Sequence, residues 1–181
     1  MNRLPWNKYF MALAKLAAVR SGCNSRPTGA VIVSGRRVVA TGYNGSMPGE
    51  PQCTDKGPKF CLRRELGRDD SGIKKYQDCP SIHAEQNAIN QIAEFGGIGL
   101  RGSVLYCTLF PCIHCLKNIK RVGITKIYYE LIYQSDDEER DRYWLKKAEE
   151  YKLETEEIHF THSEINQIKR IIMSFTSDRR L

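Results

Sequence analysis

SVLYCTLFPCIHCLKNIKRVGITKIYY, residues 103–129, reads as a strand, a helix and a second strand in succession. Ser103 to Thr108 is a short apolar run of the kind that fills a buried strand. Cys112 to Val122 is a helix, with Pro111 before it and Gly123 stopping it. Thr125 to Tyr129, rich in β-branched and aromatic residues, is the next strand. Upstream, His83 to Phe95 predicts a helix with Ala84, Ala88, Ile89 and Ile92 on one side, ended by Gly96-Gly97. Earlier still, Thr28 to Val33 and Val38 to Tyr43 form a hairpin across Ser34-Gly35-Arg36-Arg37. Trp6 to Arg20 makes the first helix, with Phe10, Leu13, Leu16 and Ala17 inward. Downstream, Ser135-Asp136-Asp137-Glu138 has capping-box spacing at the start of a helix. Glu154 to Ile158 is a short last strand, and Thr161-His162-Ser163-Glu164 offers another capping box before a C-terminal helix. A helix, a hairpin and then alternating helices and strands predict an α/β fold: a three-layer α/β/α sandwich around a mixed five-stranded sheet.

The 181 residues suit one domain spanning 1–181, with a cysteine-bearing insertion at about 46–80 and a C-terminal helical extension at about 161–181. The insertion is glycine- and proline-rich and shows no sustained periodicity, and a structureless stretch of that length needs a reason, such as a metal that ties it down. At 41% hydrophobic and 27% charged residues the composition is globular, which excludes a disordered chain. No apolar run approaches the roughly 18 residues of a membrane span. The first residues are amphipathic and lack a secretory layout, so a cytoplasmic protein is expected. The net charge of +7 favours anionic partners such as nucleotides, but the basic residues are dispersed in short runs that solvated faces commonly carry. Seven cysteines, an odd count, suit metal binding better than disulfides in a reducing compartment.

His83-Ala84-Glu85 and Pro111-Cys112-Ile113-His114-Cys115 carry the chemistry. A histidine and two cysteines three apart supply three ligands to one Zn²⁺ and leave a fourth tetrahedral position for water. Cys112 and Cys115 share one face of the first helical turn, where the partial positive charge of the helix start favours thiolates. His83 begins the other helix, so two helix starts converge on one ion. Glu85 is placed to take the water proton and pass it on. H-x-E followed by P-C-x-x-C is the spacing of zinc nucleobase deaminases. His114 points away from the metal.

These motifs resemble the deoxycytidylate deaminases, including bacterial competence-operon and phage members, within the cytidine deaminase-like superfamily. The resemblance is carried by Thr28-Gly29-Ala30-Val31-Ile32-Val33, Gly42-Tyr43-Asn44-Gly45-Ser46, His83-Ala84-Glu85-Gln86-Asn87-Ala88, Phe110-Pro111-Cys112-Ile113-His114-Cys115 and the Tyr128-to-Tyr133 stretch, over roughly residues 5–160. It implies hydrolysis of dCMP to dUMP and ammonia, supplying thymidylate synthesis. It places catalytic zinc on His83, Cys112 and Cys115 and proton transfer on Glu85. Asn44 would contact the sugar or base, or else form a turn pair with Gly45. Tyr133 would stack on cytosine, or else serve as a core aromatic. Arg26, in an Arg-Pro pair where relatives often carry a bulky residue, is either the phosphate partner or a solvent-exposed side chain. The resemblance also implies dCTP and dTTP effectors, Mg²⁺ with an allosteric nucleotide, and a homohexamer.

Cys107 belongs to the core strand, whereas Cys23, Cys53, Cys61 and Cys79 lie before the hairpin and in the insertion. Some members of the family hold a second, structural zinc on cysteines at the positions of Cys23 and Cys53. Four thiolates would close a tetrahedral site, and buried unligated thiols are the alternative. Rival functions are deamination of dCTP, of a tRNA adenosine or of a polynucleotide cytidine, and a non-catalytic zinc module that binds nucleic acid. The insertion speaks against the tRNA enzymes, His83 against the free-cytidine enzymes, and the lack of a basic-aromatic stripe against polynucleotides. A structural zinc module has no use for Glu85.

Overall fold

Gly35 and Arg36 make the hairpin turn, both at positive φ (51° and 67°), which is the backbone a two-residue turn needs to match strand twist. They join β1 (Gly29–Ser34) to β2 (Arg37–Tyr43), with Ser34 paired to Arg37. The strands therefore run one residue further into the turn than the sequence suggests. The computed structural model describes residues 3–67, 79–97, 99–132 and 138–174. Before the hairpin comes α1 (Trp6–Ala18). After it a 3₁₀ turn (Cys53–Lys56) and the short α2 (Leu62–Glu65) lie in the insertion. Then follow α3 (Ala84–Phe95), β3 (Val104–Leu109), α4 (Ile113–Val122), β4 (Lys126–Leu131), α5 (Glu138–Glu150), β5 (Glu154–Glu157) and α6 (His162–Met173).

Among the described residues the strands form one mixed sheet in the order β2-β1-β3-β4-β5. β1 is antiparallel to both β2 and β3, and the crossovers through α4 and α5 make β3, β4 and β5 parallel. Alternation along the central strands feeds two cores. Ala30, Ile32, Leu105, Cys107 and Ile127 share a core with Ala84 and Ala88 of α3, Leu116 and Ile119 of α4 and Ala148 of α5. Val31, Val33 and Tyr106 pack with Phe10, Met11 and Ala14 of α1 on the opposite face. The fold is thus the expected three-layer α/β/α sandwich.

α1 corrects the expected inward face. Phe10, Met11 and Ala14 are buried, whereas Leu16 is 53% exposed, and the helix ends at Ala18 instead of Arg20. The cause is the close approach of α1 to β1. A β-carbon at Gly29 would stand 2.0 Å from the Ala14 carbonyl oxygen, so the contact line follows the small residues Ala14 and Ala18.

Both sheet edges are protected. On β2, the Thr41 amide donates to Gln91 Oε1 (2.8 Å) and the Tyr43 carbonyl accepts from Asn87 Nδ2 (2.8 Å), so α3 covers the open strand with side chains. On the other edge β5 is short and acidic, and Lys126 bonds its Glu156 at 2.8 Å. The capping box at Thr161 forms as read: Thr161 N–H donates to Glu164 (2.8 Å) and Glu164 N–H to Thr161 Oγ1 (3.3 Å). Glu164 also accepts from Lys8 Nζ at 2.6 Å, tying α6 to α1. The Ser135–Glu138 cap falls largely on residues outside those described. No helix among the described residues is long and apolar enough to cross a membrane.

Candidate active site

Two helix starts face each other at one end of the sheet. His83 is the N-cap of α3 and Cys112 the N-cap of α4; both are extended (ψ 151° and 168°) and neither spends its side chain on capping. Their side chains are therefore available to each other. Cys115, buried in the first turn of α4, completes the group. His83 Nδ1 lies 3.5 Å from Cys112 Sγ and 3.5 Å from Cys115 Sγ, with all three ligand atoms within 4.8 Å of one another. Tetrahedral angles with Zn–N and Zn–S bonds of about 2.05 and 2.3 Å require an N···S separation of ~3.6 Å. The donor set fits zinc in both chemistry and spacing. His114, between the two cysteines, is exposed.

Glu85 occupies the second position of α3 and is only 4% exposed. Burial pushes its carboxyl up to about 7, against an opposing pull from His83. The hydrogen bond with Cys115 and the neighbouring His83 draw the Cys112 thiol down to about 4. The same bond, with burial, holds the Cys115 proton well above the usual thiol range. His83 is raised to about 9, first by its bond to Cys112. Without metal these shifts favour a proton on His83 and on Cys115 and its loss from Cys112. Cys107, buried in the strand beneath, is raised by burial and then by Glu85, and belongs to the core.

Asn44 is 8% exposed and its carboxamide is largely committed within the fold. Its Oδ1 accepts from the Thr28 amide (2.8 Å) and Ser21 Oγ (2.7 Å), and its Nδ2 donates to the Arg26 carbonyl (2.9 Å). It therefore organises the 21–28 loop, which carries Arg26 at an exposed position. The adjacent Gly45 pairs with Ile82 (2.8 and 3.2 Å), the residue before His83. Tyr133 lies outside the described residues.

Cys23, Cys53, Cys61 and Cys79 form no disulfide; burial raises the Cys79 thiol above its ordinary value, with smaller contributions from the other three thiols. Their sulfurs are more widely spaced than the His83 triad; among the described residues that triad alone gathers three ligand atoms within 4.8 Å. The Arg26 amide donates to Cys23 Sγ at 3.4 Å. Two residues that sequence reasoning missed hold this region, Asn24 and Gln52. The Gln52 carboxamide sits in a notch between Gly22 and Gly45, where a β-carbon on Gly22 would lie 1.8 Å from Oε1. Gly22, a glycine with no turn to make, was the one available signal.

A His/Cys/Cys triad on two helix starts over a mixed sheet, with a buried glutamate two residues after the histidine, defines the zinc nucleobase deaminase class of site. Within that class, the chain belongs to the cytidine and deoxycytidylate deaminase zinc-binding family, whose model matches residues 4–131. It is 42% identical over 135 residues to ComE operon protein 2 of Bacillus subtilis, covering 75% of this chain and 64% of that protein. It is 37% identical over 133 residues to the deoxycytidylate deaminase of Mycobacterium phage D29, covering 71% of this chain and 97% of the phage enzyme. The crystal structure of dCMP deaminase from cyanophage S-TIM5 in complex with dCMP and dUMP superposes with a TM-score of 0.65 at 26% identity, covering 87% of this chain and all (100%) of that one. The chain thus spans under two thirds of the Bacillus protein but nearly the whole of the two phage enzymes.

Proposed function

We propose that the protein hydrolyses dCMP to dUMP and ammonia. The observation that carries this reading is the buried Glu85 carboxyl beside the His83–Cys112–Cys115 triad, in a chain related over 71% of its length to a phage deoxycytidylate deaminase. His83, Cys112 and Cys115 hold the metal, which when bound lowers the pKa of water to about 7. Glu85, whose buried carboxyl is held up to about 7, accepts a proton from water and delivers it to the ring nitrogen, then takes the proton of the newly added hydroxyl and gives it to the amine as the C–N bond breaks and ammonia leaves. Asn44 offers its remaining Nδ2 hydrogen to the nucleoside, Arg26 pairs with the phosphate and Tyr133 stacks on the base.

The four cysteines Cys23, Cys53, Cys61 and Cys79 form a second, structural zinc site that fixes the insertion, drawn together as the metal binds. Regulation by dCTP and dTTP with Mg²⁺, and a homohexamer, complete the proposal. Trp6, Leu16 and Val19 of the α1 region and Ile171 and Ile172 of α6 supply exposed apolar surface for assembly. Ammonia release from cytidine, dCMP, dCDP, dCTP and a tRNA anticodon stem tests the substrate: turnover greatest on dCMP supports the reading, and turnover confined to dCTP or the tRNA stem sinks it.

A further inference from the structure

A helix start is usually fixed by an N-cap side chain that accepts from the first free amides. His83 holds that position in α3, yet its imidazole faces the two sulfurs, makes no capping bond and is exposed. Neither capping nor burial of its own side chain therefore holds the histidine in place. Its backbone is held instead by one short segment, the end of β2. Ahead of His83, the Ile82 amide donates to the Gly45 carbonyl (2.8 Å) and the Gly45 amide to the Ile82 carbonyl (3.2 Å). Behind it, Asn87 Nδ2 donates to the Tyr43 carbonyl at 2.8 Å. The Asn87 amide also makes the first bond of the helical ladder, to the carbonyl of His83 itself (2.9 Å). These bonds close a ring through residues 43–45 and 82–87 with His83 inside its arc, and one side chain, Asn87, closes it.

Other carboxamides join remote segments outside this ring. Asn24 Nδ2 donates to the carbonyls of Cys53 (3.0 Å), Gly57 (2.8 Å) and Phe60 (3.0 Å), tying the insertion to the loop after α1. Gln91, one turn beyond Asn87 on α3, accepts from the Thr41 amide on the same edge of β2 (2.8 Å). The close approach of Gly42 to Ala84 sets how near α3 lies to the sheet, but a contact of that kind leaves the helix free to slide and turn. A directed bond to one carbonyl removes both freedoms. We propose that Asn87 is a positioning residue of the metal centre: bound to the Tyr43 carbonyl, it fixes the start of α3 and so holds His83 and Glu85 in place against Cys112 and Cys115. This inference rests on the reading of that triad and of Glu85 given above. Metal–ligand distances hold to about 0.2 Å, and a misplacement of about 1 Å at a reacting group can cost 10²-fold in rate. Asparagine is a weak helix former, and alanine and leucine are better. Asn87→Ala and Asn87→Leu therefore favour the helix itself, leave the charge unchanged and remove the donor.

The test compares purified wild type, Asn87→Ala, Asn87→Leu and Gln91→Ala. Zinc retention is titrated with a chromophoric chelator, cobalt(II) spectra report the ligand geometry, and dCMP turnover gives kcat and KM. Both Asn87 variants are expected to hold zinc about 10-fold more weakly, the low end of what loss of an outer-shell partner costs, with shifted cobalt d–d bands. Their kcat should fall by about 10- to 100-fold while KM stays close to wild type. Gln91→Ala loses a bond of the same kind on the same edge and is expected to keep the wild-type zinc affinity, cobalt spectrum and kcat. Wild-type zinc affinity and cobalt spectra in both Asn87 variants overturn the proposal. So does an equal loss in Gln91→Ala, which would make Asn87 one more cover for the strand edge. Should one Asn87 variant not fold, the other decides through the same readouts. A wild type that binds no metal overturns the reading of the triad and this inference with it. A wild type that binds metal without deaminating dCMP overturns the substrate reading alone, and the zinc and cobalt readouts still decide the role of Asn87.

Discussion

Gly42 passes so close to the first turn of α3 that a β-carbon there would lie 2.2 Å from the Ala84 carbonyl oxygen and 2.5 Å from the Ala88 amide. The contact is backbone against backbone, so no side chain can yield. It sets how near α3 approaches the sheet, and therefore where His83 and Glu85, on either side of Ala84, meet α4.

Gly42→Ala is accordingly expected to push α3 outward. Overpacking of this kind costs about 1–3 kcal/mol. Urea unfolding should show that loss, and zinc affinity should fall in the same variant because the His83 side of the triad moves. Wild-type stability together with wild-type zinc affinity would refute the assignment of this contact.

Glu85→Gln should keep zinc and fold while deamination falls by about 10²–10⁴, the usual contribution of a positioned general acid–base group. Turnover together with elemental analysis checks this, and comparable turnover by the variant removes Glu85 from the reaction. The variant also has a signature in stability. The folded metal-free protein holds the Glu85 proton up to about 7 against an ordinary 4.5, so this group stabilises the fold fully below pH 4.5, and that contribution is lost as pH rises through 7. Metal-free Glu85→Gln should therefore gain stability relative to wild type across that window, which denaturant titrations at a series of pH values would detect.

Zinc uptake by the metal-free protein should release about two protons at neutral pH, since metal requires a neutral imidazole and two thiolates. They come from His83, charged up to about 9 beside the Cys112 thiolate, and from Cys115, whose thiol stays protonated. Affinity should rise with pH through the titration of His83 and beyond it, until Cys115 has also lost its proton. Calorimetry in buffers of different ionisation enthalpy counts the protons, and release of none contradicts the imidazolium–thiolate pairing.

Asn44→Ala removes the bonds to Thr28, Ser21 and Arg26 together and leaves a buried amide without its acceptor. A loss of roughly 1–3 kcal/mol is expected. Because the 21–28 loop also carries Arg26, KM for dCMP should rise more than kcat falls. A variant with unchanged KM and reduced kcat would place Asn44 in the chemical step instead.

Much of the site could be read along the chain because its parts are local. Helix starts, the three-residue cysteine spacing and the His-x-Glu pair are consequences of helical geometry within a few residues, as is the Thr161–Glu164 cap. The residues that join distant segments carry no such signature. Asn44 resembles any residue of an Asn-Gly turn until its three partners are known, and Asn24 lies in an ordinary polar loop. Leu16 looks more suited to burial than Ala14 by side chain alone, yet the chain buries Ala14 because Gly29 lets α1 lie close against β1.

The candidate metal donors, the acid two residues after the histidine and the alternation of elements were therefore legible in residue type and local spacing, which follow backbone periodicity. Their meeting was not. His83 comes to 3.5 Å from sulfurs 29 and 32 residues away only because β2, β1 and β3 lie side by side and glycines let the helices settle onto them. Distances between remote segments come from packing and strand order, and those exist only once the whole sheet has formed.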